Sequence, residues 1–230
     1  MTSDSPAQAP AEPPRVSVRG EAHLDVDPEL ARLHVTVGSR GRDRRAALDD
    51  LTRRNAAALD LVKSYGEAVE RLETGFLSIT PELSAHGRGE RVRTYTGQVR
   101  LTADLRDFTV LGELTTRLAD MELTRVDGPW WSLRPGSPVH RRARQEAVRD
   151  AVLRAREYAE ALGAALADLI ELADIGAEEG GPQFRAAGRT RSRSFSADAQ
   201  DMAAPIDLEP QRQQVHAQVT ARFTITRPIL

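Results

Sequence analysis

The chain has 230 residues, 40% of them hydrophobic and 29% charged, enough for one sizeable core or two small ones. Its 32 basic and 34 acidic residues leave a net charge of −2, so no overall field favours nucleic acid or an anionic membrane. Cysteine is absent, which excludes disulfides and thiolate chemistry. Residues 1–14 are rich in Pro, Ala and Ser, with no basic start and no apolar run of seven or more residues. This composition reads as a disordered tail and not as a secretory signal. No stretch approaches the roughly 20 apolar residues of a membrane-spanning helix, and the sequence reading of location is cytoplasmic.

Ordered structure is expected from Arg15. Val16, Val18, Ala22, Leu24 and Val26 alternate with polar residues, as do Ala31, Leu33, Val35 and Val37, which predicts two strands around a turn at Asp27-Pro28-Glu29. Paired as a hairpin, they set Asp25 opposite Arg32 and His23 opposite His34. A helix is expected over 43–65, its stripe carrying Leu48, Leu51, Ala58, Val62 and Tyr65 with Asn55 as the one polar member. Next comes a strand over 69–83, where Gly75 and Pro81 predict a bulge and an edge position. A flexible loop over 84–90 turns the chain back into a regular strand through Tyr95, Val99, Leu101, Ala103 and Leu105. Asp107 reads as the cap of a short helix with Phe108, Leu111, Leu114 and Leu118. A strand over 123–133 carries Trp130 and Trp131, which must face opposite sides: one belongs in the core, the other is exposed or covered by a partner.

The clearest element is a long helix from Ser137 to Gly163. Ser137 is a natural N-cap, Pro138 suits the first helical position, and Gly163 is suited to a left-handed C-cap. Ala143, Ala147, Ala151, Ala155 and Ala159 recur every four residues and make a face of methyl groups that can approach a sheet closely. A short apolar strand follows over 166–175, then a long loop over 176–205, whose end near Ile206 leaves room for a further short strand. A strictly alternating last strand runs through Val215, Ala217, Val219, Ala221, Phe223 and Ile225. Together these predict an α+β fold. It is a single domain over 15–227 with a mostly antiparallel extended sheet of about seven strands and three helices on one face, the Ala-rich one as a crossover.

The segments VSVRGEAHLDVDPELARLHVTV, GQVRLTADLRDFTVLGEL, VDGPWWSL and AVRDAVLRAREYAEALGAAL followed by LIEL, in that order, resemble the SIMPL domain family across most of the chain. The resemblance implies one α+β domain with long crossover helices and, in some members, assembly into ring-like or channel-like oligomers. It also implies links to envelope or oxidative-stress physiology in bacteria and to kinase-associated signalling in animals. The family has no agreed activity and no catalytic residues to carry over. Many of its bacterial members look exported, which the reading of residues 1–14 here does not match.

The residues themselves show no nucleophile with a base, no phosphate cradle and no facing carboxylates. Gly38-Ser39-Arg40-Gly41 lacks the third glycine of a dinucleotide loop, and Asp49-Asp50 and Glu178-Glu179 are adjacent pairs at solubilising positions. A non-enzymatic chain without cofactor is therefore expected. The role that the resemblance implies is stress-related, as a homo-oligomer or binder of a protein partner, with Trp130 and Trp131 as interface candidates. The alternative is a small-ligand or metal module on the polar sheet face, with His23, His34 and His216 as ligands because imidazoles opposite one another on a sheet can share an ion. The basic stretch 185–196 (RAAGRTRSRSFS) could take phosphate at its serines or bind an anion. With 4% aromatic residues there is little stacking surface, and nucleic-acid binding is not expected.

Overall fold

The four-residue alanine repeat folds as read. In the computed structural model, which describes residues 12–83, 92–174 and 204–229, it forms α3 (Pro138–Ala161) with all five alanines at 0 or 1% exposure. Ser137 caps it by accepting from the Val139 amide. At the other end Gly163 has φ +66°, its amide donates to the Glu160 carbonyl and the Ala164 amide to that of Ala159, so the orphan carbonyls are closed by a left-handed turn. The methyl face lies on strand β1 (Arg15–Val26). Contact is close enough that a Cβ on Gly20 would sit 2.1 Å from the Ala147 carbonyl oxygen and 2.6 Å from the Ala151 nitrogen. Beside it, the Glu21 amide donates to the Asp150 carboxylate of α3 at 2.8 Å.

The fold is α+β, and the described residues form seven strands in two sheets and three α-helices. The chain divides into two compact units. In the first, α3 covers a three-stranded sheet of order β1-β7-β6, with β6 at Leu166–Asp174 and β7 at Gln213–Ile225 antiparallel to it. Its core is small: Val18 and Ala22 of β1 and Val219, Ala221 and Phe223 of β7 meet Ala147, Ala151 and Ala155. In the second unit, β2 (Leu30–Gly41), β3 (Val69–Leu83), β4 (Val92–Leu105) and β5 (Thr124–Ser132) form a sheet of order β3-β4-β2-β5. One face is covered by α1 (Arg44–Lys63) and α2 (Leu111–Ala119), whose Leu51, Ala58, Val62, Leu111, Leu114 and Leu118 bury Leu33, Val35, Val37, Leu101 and Leu105.

Two sheets replace the one extended sheet expected, and the hairpin of the first two strands does not form. β1 pairs with β7, while β2 lies between β4 and β5. Side-chain size accounts for the sorting. β1 turns Gly20 and Ala22 toward a helix of alanines, whereas β2 presents Leu33, Val35 and Val37 to helices rich in leucine, and alternation alone registers neither difference. Arg32 accordingly pairs with Asp104 rather than Asp25.

Of the other local expectations, some hold and some do not. α1 is capped by Asp43, which accepts from the Ala46 amide at 2.8 Å. β3 is an edge strand with a register shift between Thr74 and Leu77, around Gly75. Asp107 does not cap α2 but holds the preceding turn through the amide and hydroxyl of Thr109. No strand forms at Ile206. The stretch 204–212 instead runs over α2, where a Cβ on Gly112 would meet the Ile206 oxygen and the Ile206 amide donates to the Thr116 hydroxyl. Residues 1–11 of the tail, the loop 84–90, most of the loop 176–205 and the basic stretch 185–196 lie outside the described residues.

Candidate functional site

Because the inward residues of β2 are buried under α1 and α2, Arg32, His34 and Thr36 stand on the opposite face of that sheet. The ladders set Arg32 between Asp104 and Trp130, His34 between Thr102 and Asp127, and Thr36 between Arg100 and Arg125. An extra residue on β5 makes this grouping. The register shifts between Arg32 and His34, opposite Gly128 and Pro129, which are joined by a cis peptide bond, and so Trp130 and Asp127 come to one face. Gly128 has φ +119°, and a Cβ there would lie 2.7 Å from the Arg32 carbonyl oxygen, so only glycine fits.

Arg32 donates to both oxygens of Asp104, at 2.6 and 2.8 Å. This hydrogen bonding, against the opposing effect of burial, raises the guanidinium above its ordinary pKa. The pair occupies its own donors and acceptors, which suits a structural clamp between β2 and β4 better than a ligand contact. His34 lies on Trp130 with ring centroids 4.4 Å apart. Burial first, then the positive charges of Arg100 and Arg32, push its imidazole below the usual range. The folded state therefore binds the His34 proton less readily than the unfolded chain. The associated stability is present above the unfolded-state value of about 6.5 and is lost as pH falls below it toward the lower folded value. In an NMR titration of the imidazole protons, His34 is expected to show a midpoint below about 6.5; a midpoint at or above that value contradicts this placement.

In the first unit, His23 of β1 and His216 of β7 are both exposed and lie side by side, with Nδ1 atoms 3.2 Å apart and ring centroids 4.4 Å apart at 32°. Of the three candidate ligands, the structure brings together His23 and His216 and places His34 on the other unit's sheet. Among the described residues no group of three or more His, Asp or Glu is placed to hold a metal ion.

The tryptophans separate as strand geometry requires. Trp131 packs edge-on against Phe108, 4.9 Å between centroids, and joins the apolar core of its unit, while Trp130 takes the outer face beside His34. An open groove of about 400 Å³ beside the start of β3 is lined by Leu59, Lys63, Glu70 and Arg71. Its carboxylate is engaged: hydrogen bonds from Arg134 hold Glu70 below the usual carboxylate range.

Sequence reasoning passed over one feature. β6 reads as a short apolar strand, and Leu169, Ile170 and Leu172 are 53, 43 and 47% exposed, because β6 is the outer strand of a three-stranded sheet and α3 rests mainly on β1. The signal available was charge: Asp168, Glu171 and Asp174 interrupt the run, as suits an edge and not a buried centre. No helix among the described residues is long and apolar enough to cross a membrane.

The chain is similar to the 26 kDa periplasmic immunogenic proteins of Brucella melitensis biotype 1 and Brucella abortus strain S19. Each is 24% identical over 212 residues, a match that covers 86% of this chain and 80% of the relative. The family model described as SIMPL, protein of unknown function (DUF541), matches residues 16–223. With that match running from the first strand almost to the end of the last, the chain belongs to the SIMPL family.

Proposed function

We propose that this protein is a non-enzymatic, self-associating member of its family with a stress-related role, and that copies meet through the β6 edge of the first unit. The observation that carries this reading is the exposure of Leu169, Ile170 and Leu172 on a strand that, among the described residues, has a neighbour on one edge only. A strand edge presents free amides and carbonyls in a row, and large apolar side chains beside it gain when a second chain covers them. Fully burying an aliphatic side chain is worth about 1.5–3 kcal/mol, and these three, each about half exposed, have roughly half of that left to gain, enough together to bias an association. Of the adjoining charges, Glu171 is already engaged within the unit, paired with Arg222 at 3.0 Å.

The non-enzymatic reading is supported by where charge is spent. The resolved shifts in acidity belong mostly to pairs such as Arg32 with Asp104, Arg134 with Glu70 and Arg54 with Asp50 and Glu122, which fasten one element to another. The stress-related role rests on family resemblance, and a deletion strain with unchanged peroxide survival would contradict it. The Brucella relatives are named as periplasmic proteins, which favours export of this chain over the cytoplasmic reading of its sequence. Cell fractionation decides between the two.

Association is tested by replacing Ile170 with lysine. A charge on the edge strand is expected to shift the protein toward monomer in light scattering while leaving its melting temperature within a few degrees, since Ile170 is already 43% exposed. An unchanged native mass would remove β6 as the contact.

A further inference from the structure

The pair His23 and His216 has a geometry that neither a solvated surface nor the family assignment requires. Two antiparallel-sheet neighbours on the outer face of the first unit turn the same ring atom toward each other, Nδ1 to Nδ1, at 3.2 Å. The ring centroids are farther apart, at 4.4 Å, so the nitrogens sit on the sides of the rings that face one another. A divalent transition ion bound by imidazole lies about 2.0–2.1 Å from each nitrogen. Two nitrogens 3.2 Å apart then subtend roughly 100° at the ion, between square-planar and tetrahedral angles. The spacing matches the bite of a two-histidine chelate. As a hydrogen bond the same contact needs one ring to hold its proton on Nδ1 and the other to present a bare Nδ1, and an ion satisfies both bare nitrogens at once.

The support beneath the pair is rigid. Next to His23, Ala22 is buried against α3, and on β7 Val219, Ala221 and Phe223 hold the strand in the same core, so both histidines rise from strands whose other face is fixed. Both rings are exposed, which gives an ion an entry path and leaves its remaining positions to water. We infer that His23 and His216 form a binding site for a divalent transition-metal ion of the imidazole-preferring class, with Cu²⁺ held more tightly than Ni²⁺ or Zn²⁺. The order follows from the general affinity series for nitrogen ligands, and hard ions such as Mg²⁺ and Ca²⁺, which need several oxygen ligands, are not accommodated by two imidazoles. This site is independent of the association proposed above, since it lies on β1 and β7 and not on β6.

The test uses the full-length untagged chain, titrated separately with Cu²⁺, Ni²⁺, Zn²⁺ and Mg²⁺ by calorimetry, beside His23→Gln, His216→Gln and His34→Gln. One equivalent of Cu²⁺ per chain is expected, with affinity falling at least about tenfold in either of the first two variants and unchanged in the third, in proportion to the loss of one of two ligands. Electron paramagnetic resonance of the Cu²⁺-loaded protein is expected to show coupling to two equivalent nitrogens, reduced to one in each of those variants. Because both side chains are exposed, circular dichroism is expected to be the same in the wild type, His23→Gln and His216→Gln. Copper binding that survives His23→Gln and His216→Gln, that is lost equally in His34→Gln, or that shows no nitrogen coupling overturns the assignment.

Discussion

Replacing Ala151 by glutamate is expected to cost about 3 kcal/mol or more of the stability of the first unit. Ala151 is fully buried in the middle of α3, packed among Ala147, Ala155, Val18, Ala22 and Phe223, with no cation among the residues of that core. A carboxylate there would either remain charged without a partner or take up a proton, and in both cases its added bulk would push the helix off the sheet. Arg149→Glu is the control: Arg149 lies on the exposed face two residues earlier, and a change within about 0.5 kcal/mol is expected. Urea denaturation followed by circular dichroism reads both. Wild-type stability in Ala151→Glu would mean that another face of α3 meets the sheet.

The second large effect comes from adding a single methyl group. Glycine to alanine in a strand ordinarily stabilises slightly, because glycine loses more backbone freedom on folding and packs nothing. At Gly20 the expected sign is reversed. A Cβ there would stand 2.1 Å from the Ala147 carbonyl oxygen and 2.7 Å from the Ala151 Cβ, and two of the three nearest atoms are helix backbone that cannot rotate away. The helix must retreat by more than an ångström, which loosens the alanine contacts and lengthens the 2.8 Å bond from the Glu21 amide to Asp150. A loss of about 2–4 kcal/mol in the same denaturation experiment is expected, within the range of overpacked cores. An unchanged or raised midpoint would contradict the close approach of β1 and α3.

What could be read from the residues, and what could not, divides along a physical line. α3 was legible because its signals are local and agree: a serine cap, a proline at the start, a glycine stop and alanines at a fixed spacing. The same holds for the bulge at Gly75 and for the opposed faces of Trp130 and Trp131, which follow from strand geometry alone. Strand partners were not legible. A period of two says which face of β1 is apolar but not which strand lies beside it, and β7, some 190 residues away in sequence, completes that sheet. Only a hairpin of β1 with β2 would set His23 beside His34. Setting the strand beside β7 instead leaves His216 as the neighbour of His23 and gives His34 to Trp130. The exposure of β6 escaped for a related reason: an apolar run marks a strand, and only the assembled sheet shows that it is the last one.

Association through β6 is tested most directly by the native mass of the wild-type chain and of Ile170→Lys, measured by multi-angle light scattering over a hundredfold dilution. The account predicts a discrete multiple of the 25.2 kDa chain that dissociates at the low end of the series, and a monomer at every concentration for the variant. A wild-type protein that is monomeric throughout, or a multimer whose mass Ile170→Lys leaves unchanged, would contradict it.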